Sequence, residues 1–153
     1  MIHLQNLKFA NITGPISVDN GSNTTAAVDT QGFDYAVIVV HSGALQVAMT
    51  ALKVQESDSS DMSGAADVDG LIFGTSTNID GSTSALPAAG DDNVFHLFEI
   101  DLKNRKRFLD VVSTQGNGSG TGGLVGISCI LGRAAESVVD TASGKGAAEV
   151  LRA

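Results

Sequence analysis

The chain has 153 residues, a formal net charge of −8 and 42% hydrophobic residues, with one cysteine and no tryptophan. That length fits one domain with a self-sufficient core, Cys129 alone excludes an internal disulfide, and an acidic chain lacks the basic face that nucleic acid requires. Apolar runs such as Ala36–Val40 are far too short to span a bilayer, and the opening Met1-Ile2-His3-Leu4-Gln5 lacks the basic-then-apolar layout of a signal peptide.

Ile2–Phe9 alternates loosely and is expected to be the first strand, within an N-terminal arm over residues 1–15. Asn20-Gly21-Ser22-Asn23 marks a turn. A short strand is expected over Thr24–Thr30, ended by Gln31-Gly32. Phe33–Ser42 is the clearest strand. Phe33, Tyr35, Val37 and Val39 share one face, and Ala36, Ile38 and Val40 share the other. A strand apolar on both faces is covered on both, so it is central or lies under a partner subunit. Leu45–Ser57 changes phase between Met49 and Leu52, and a β-bulge at Thr50-Ala51 would bring its apolar residues to one side.

Asp58–Asp69 reads as an acidic loop, Gly70–Gly74 as a short apolar touch-down, and Thr75–Asp92 as a surface excursion. Asn93–Leu102 alternates, with Phe98, Ile100 and Leu102 inward and Glu99 and Asp101 outward. Lys103-Asn104-Arg105-Lys106 is expected to be a hairpin turn, with Arg107–Thr114 returning antiparallel. Gly116–Gly123 reads as a glycine-rich loop tip. Leu124–Gly132 is the last strand, with Val125, Ile127, Cys129 and Leu131 on one face.

Residues 134–153 are small, polar and alanine-rich. They read as an extended tail that orders only by lying on the parent domain or on a neighbour. Seven or eight short strands without helix–strand alternation predict an all-β antiparallel sandwich, jelly-roll-like, over residues 1–133, with extended termini.

Little in the chain has the pattern of catalysis. His3, His41 and His96 have no ligand spacing for zinc, and His96 shares parity with the core positions Phe98 and Ile100, as a hydrogen-bonded core or interface histidine would. Cys129 lies on an apolar face, where a thiol behaves as a small hydrophobe. The acids Glu56, Asp58, Asp61, Asp67 and Asp69 have calcium chemistry available, but the EF-hand pattern fails after Asp67-Val68-Asp69-Gly70. Glu99 and Asp101 read as an exposed face rather than a glycosidase pair. The expectation is no enzyme, no metal and no cofactor.

Charge is uneven. Residues 1–102 hold 13 of the 17 acids but only Lys8 and Lys53 as bases. The basic cluster Lys103, Arg105, Lys106 and Arg107 is thus a candidate for docking to an acidic surface, by self-association or on a larger scaffold.

Three segments carry a resemblance. They are Asp29-Thr30-Gln31-Gly32-Phe33-Asp34-Tyr35-Ala36-Val37-Ile38-Val39-Val40, Leu52-Lys53-Val54-Gln55-Glu56-Ser57-Asp58, and Lys106-Arg107-Phe108-Leu109-Asp110-Val111-Val112, which leads into Gly126-Ile127-Ser128-Cys129-Ile130-Leu131-Gly132. In this order they resemble small proteins encoded among the head genes of tailed bacteriophages, over about residues 28–133. The resemblance implies a virion-associated β protein.

A capsid decoration or cement role extends that implication. Its partners are then the major capsid protein and further copies of the chain, as a dimer or trimer, on a particle assembled in the host cytoplasm, with no nucleic acid and no membrane. The expected contacts are Ile2, Leu4 and Phe9 near the start, Lys103, Arg105, Lys106 and Arg107 in the basic turn, and Val138, Val139, Val150 and Leu151 in the tail. The alternatives are a carbohydrate-binding or adhesion module and a head–tail adaptor component.

Overall fold

Among the described residues, stretches rich in Val, Ile, Leu and Phe, punctuated by glycine and asparagine, form eight strands: β1 (Lys8–Val18), β2 (Val28–Asp29), β3 (Phe33–Leu45), β4 (Ala51–Ser57), β5 (Ala66–Ile72), β6 (Val94–Asp101), β7 (Phe108–Thr114) and β8 (Gly123–Ala134). The computed structural model describes residues 6–118, 122–134 and 141–150. Two four-stranded sheets result, ordered β1-β8-β3-β6 and β2-β7-β4-β5, with antiparallel pairing throughout. They form a β-sandwich, as the strand pattern predicts. The pairings nest: β1 with β8, β2 with β7, β3 with β6 and β4 with β5. Only the β4–β5 connection stays within one sheet, and every other connection crosses between the two.

Alternation decides which side chains meet between the sheets. Ala36, Ile38 and Val40 of β3 are fully buried, as are Val125, Ile127, Cys129 and Leu131 of β8. Phe98 and Ile100 of β6 join them from the same sheet, while Leu52, Val54, Leu109 and Val111 face them from the other.

Several boundaries differ from the sequence reading, each for a local reason. The first strand is Lys8–Val18 instead of Ile2–Phe9. It lies at a sheet edge and carries Pro15, and its register shifts between Asn11 and Thr13 and again between Thr13 and Ile16. An edge strand tolerates both proline and bulges. Of Thr24–Thr30 only Val28–Asp29 is strand, because nearby groups bond elsewhere: Ala26 N–H donates to Ile12 O and Thr13 Oγ1 to Thr24 O.

Leu45 is the last residue of β3, residues 46–50 are not strand and Ala51–Ser57 is β4 in the other sheet, so a sheet-to-sheet crossing replaces the expected bulge; Leu45, Met49, Leu52 and Val54 are all buried. The expected acidic loop runs into β5, which also takes in residues 70–72 of the expected touch-down, and in which Val68 points inward and its flanking acids point out. Lys103–Lys106 is not a hairpin turn. It connects β6 in one sheet to β7 in the other, with Asn104 in a left-handed conformation at φ 65°.

Candidate functional site

Cross-strand partners point to the same side of a sheet. The outer face of the four strands β1, β8, β3 and β6 can therefore be read row by row. One row is Phe9, Ile130, Val37 and Glu99, the next Asn11, Ser128, Val39 and Leu97, and a third brings Gly126 and His41 to Phe95. Phe95 is 63% exposed, Leu97 50%, Phe9 44% and Leu124 42%. Val37, Val39 and Ile130 are half-buried between them. The His41 ring lies against Phe95 with centroids 4.6 Å apart. Leu124 lies across Gly43, where an added Cβ would come within 2.8 Å of it. Apolar side chains thus recur in adjoining rows of this face, with Asn11, Ser128, His41 and Glu99 exposed among them, and exposed apolar clusters of this kind mark interaction sites.

The outer face of the opposite sheet has another chemistry. Asp67 accepts from Lys53 Nζ at 2.6 Å and from Gln55 Nε2 at 2.7 Å. Both bonds favour the carboxylate, so Asp67 titrates below its ordinary range. Thr25 Oγ1 donates to Asp110 at 3.0 Å. Arg107 grips Asp29 through Nε at 2.9 Å and Nη2 at 2.7 Å, which also lowers that carboxyl. One face of the sandwich is suited to water and the other to a covering surface.

The basic turn is engaged by the chain's own acids. Arg105 stands 3.6 Å from Glu56, Lys106 Nζ is 3.9 Å from Asp58, and Lys106 N–H donates to Glu56 at 3.2 Å. With Arg107 on Asp29, three of the four cations meet intramolecular carboxylates; the Lys103 side chain is exposed. Their charge is largely spent within the molecule, and exposed pairs of this kind contribute little to stability.

The described part of the tail packs on its parent. Phe9 N–H donates to Lys145 O at 2.6 Å, and Lys145 Nζ donates to Leu7 O at 3.2 Å, leaving Lys145 4% exposed. Val150 is 39% exposed. Ile2, Leu4, Val138, Val139 and Leu151 lie outside the described residues.

A trough of about 500 Å³ separates the end of β5 from β6. Phe73, Asn78, Ser84, Phe95 and Leu97 line it together with His96, whose ring meets Phe73 edge-on at 5.5 Å. The buried His96 Nδ1 has no hydrogen-bond partner, so this histidine is not the hydrogen-bonded one the sequence implied. Burial pushes its pKa down, against the pull of Asp91.

Four of the five acids of the 56–69 region, Glu56, Asp58, Asp61 and Asp67, meet neighbouring donors. Asp61 accepts from Ser63 N–H and from the hydroxyls of Ser59 and Ser63, which take its pKa to about 2. Among the described residues no group of three His, Cys, Asp or Glu side chains is placed to hold a metal. Desolvation pushes the Cys129 thiol up to about 12, so it stays protonated. Among the described residues no helix is long and apolar enough to cross a membrane.

The structure thus gathers Phe9 with residues the sequence reading did not single out as contacts: Val37, Val39, Phe95, Leu97, Leu124 and Ile130. A signal for them was present. Phe95 and Leu97 are out of phase with the inward Phe98 and Ile100, and Val37 and Val39 with Ile38 and Val40. Comparison with protein-family models, characterised proteins and solved structures finds no match to this chain.

Proposed function

We propose that this chain is a virion structural protein that decorates a capsid shell, docking on the major capsid protein through the outer face of β1, β8, β3 and β6. The observation that carries this reading is the asymmetry of the two outer faces. One is ion-paired and hydrogen-bonded, whereas the other presents Phe9, Val37, Val39, Phe95, Leu97, Leu124 and Ile130 in adjoining rows. The nested strand plan supports it as well. Pairing first with last, second with seventh, third with sixth and fourth with fifth is the plan of a jelly roll, a fold used in viral capsids. That support is an analogy of fold.

Docking by spread apolar contact needs no reactive cleft, and the polar side chains Asn11, Ser128 and Glu99 among the rows supply register. The test is co-sedimentation of the protein with bare shells. Val39→Glu with Ile130→Glu places two charges in the middle of the face. It is expected to weaken binding by about 30-fold or more, the loss of a central contact cluster. Gln55→Glu, on the opposite sheet, should leave binding unchanged. Equal binding by all three proteins would refute the assignment.

A second reading, a carbohydrate-binding module, is favoured by the trough itself, where the exposed Phe95 ring stands near Asn78 and Ser84. Jelly rolls also occur in lectins. Binding on a glycan array that Phe95→Ala abolishes would select it.

A further inference from the structure

Sheet edges carry unpaired N–H and C=O groups and usually bear devices that discourage pairing with another chain. Three of the four edges here carry such a device. β1 has Pro15 and two register shifts, and Lys145 takes up the Phe9 N–H. β2 is two residues long. β5 pairs with β4 through a shifted register and sets Asp67 and Asp69 on its outward side.

β6 differs. It runs in unbroken register against β3 from Tyr35↔Asp101 to Ser42↔Val94, without proline, lysine or bulge, and its outward acids Glu99 and Asp101 are confined to its last three residues, leaving residues 94–98 without a carboxylate. Among the described residues β3 is the only strand that pairs with it. Phe95 and Leu97 stand exposed along it, and the fully exposed Ile79 lines the trough beside them.

We propose that β6 is a pairing edge whose occupant is β6 of a second copy of this chain, antiparallel across a two-fold axis at His96. The charge pattern of the strand is compatible with a second copy of itself, and in one register only. Val94-Phe95-His96-Leu97-Phe98 is apolar apart from the histidine, and Glu99-Ile100-Asp101 is acidic. A parallel copy would set Glu99 on Glu99 and Asp101 on Asp101, and like charges directly opposite are destabilising. An antiparallel copy centred on Glu99 does the same to that residue. Centred on His96, the apolar halves overlap and the acidic halves overhang at opposite ends. The two Glu99 residues then stand roughly 20 Å apart, six residues of strand rise.

In this register Phe95 lies across from Leu97 of the second copy, on the outer face, twice by symmetry. The contact is isologous, so it closes as a dimer and does not propagate. The two four-stranded sheets become one of eight, a width open sheets commonly reach, and the apolar outer rows become continuous across the axis. Pairing needs only this chain, so it stands apart from the shell-docking proposal.

The experiment uses the full chain alone. Sedimentation velocity over a concentration series should show a monomer–dimer equilibrium. Phe95→Lys with Leu97→Lys, both at exposed positions, brings four ammonium groups together at the axis and should weaken the dimer about 100-fold or more. Circular dichroism reports whether that variant is folded.

A second measurement does not depend on it. Phe95→Cys and Leu97→Cys, prepared separately, should form a disulfide-linked dimer on oxidation only when mixed, because each faces the other position across the axis; Cys129 is buried and does not compete. A chain that stays monomeric at every concentration overturns the proposal, and so does a dimer that both lysines leave intact or a disulfide that forms within one variant alone. A monomeric chain whose shell binding is lost in the lysine variant assigns the edge to a shell strand and equally overturns self-pairing.

Discussion

Gly146→Ala tests how residues 141–150 are held. Gly146 sits at φ 73°, in the left-handed region, and an added Cβ would run into the carbonyl of Phe9. Alanine in that conformation costs about 1–2 kcal/mol, and relieving the collision breaks the bond from Phe9 N–H to Lys145 O, about 1 kcal/mol more. Against this stand, among the contacts of Lys145, the hydrogen bonds to Leu7 and Phe9, together about 2 kcal/mol. The substitution therefore cancels the docking. An open fraction of about 1 in 30 in the parent becomes the major state, and the rise saturates near 30-fold.

Trypsin reads this directly, because its target in the segment is the bond after Lys145, whose side chain is buried when docked. When opening and closing are fast, cleavage follows the open population. Cleavage after Lys145 should thus accelerate by about 15- to 25-fold, with the thermal midpoint of the sandwich little changed. A variant cut as slowly as the parent would show that a left-handed Gly146 against Phe9 is not what holds the segment.

Two further outcomes follow from titrating groups. Arg107 lowers the pKa of Asp29 below its ordinary 3.8 in the folded protein, so the pair stabilises above the unfolded value and is lost as pH falls through the folded one. Asp29→Asn should melt below the parent by a constant margin from about pH 5 upward, and thermal scans should show the margin closing below about pH 4; a margin independent of pH would mean that the carboxylate charge is not involved. Cys129, with its thiol pushed up to about 12, should resist a thiol-reactive disulfide reagent in the native protein and react completely once unfolded in guanidinium, and rapid native labelling would contradict its burial.

The sandwich was legible because its central strands are locally consistent. β3 and β8 carry unbroken apolar parity, and β6 switches cleanly to outward acids after Phe98. The edges were less legible because what makes an edge safe also disguises a strand. Pro15 and Gly14 hide β1, and Asp67 and Asp69 hide β5, since aspartate is depleted in strands. The turn at Lys103–Lys106 looks like a hairpin because both flanks alternate. Only the pairing of β6 with β3 and of β7 with β4 places the flanks in different sheets, and that pairing is set by contacts far apart in sequence.

The exposed apolar face was half legible. Two-sided apolar character in β3 called for a second cover. Yet the partners of Val37 and Val39, namely Ile130 and Leu97, come from register alone. The basic cluster was visible, but its neutralisation by Glu56, Asp58 and Asp29 depends on which strands lie beside the turn.

The nesting of first strand with last has a consequence for synthesis on the ribosome. β3 is flanked by β6 and β8, and β8 is the last of the eight strands to be made. Until it emerges, Ile38 and Val40 have one lateral neighbour missing and the layer beneath them incomplete. Closure must wait for contacts spanning most of the polypeptide, a topology that folds slowly. A nascent chain stalled before residue 123 would hold a sticky, half-built sheet, the species most prone to clump or to recruit a chaperone.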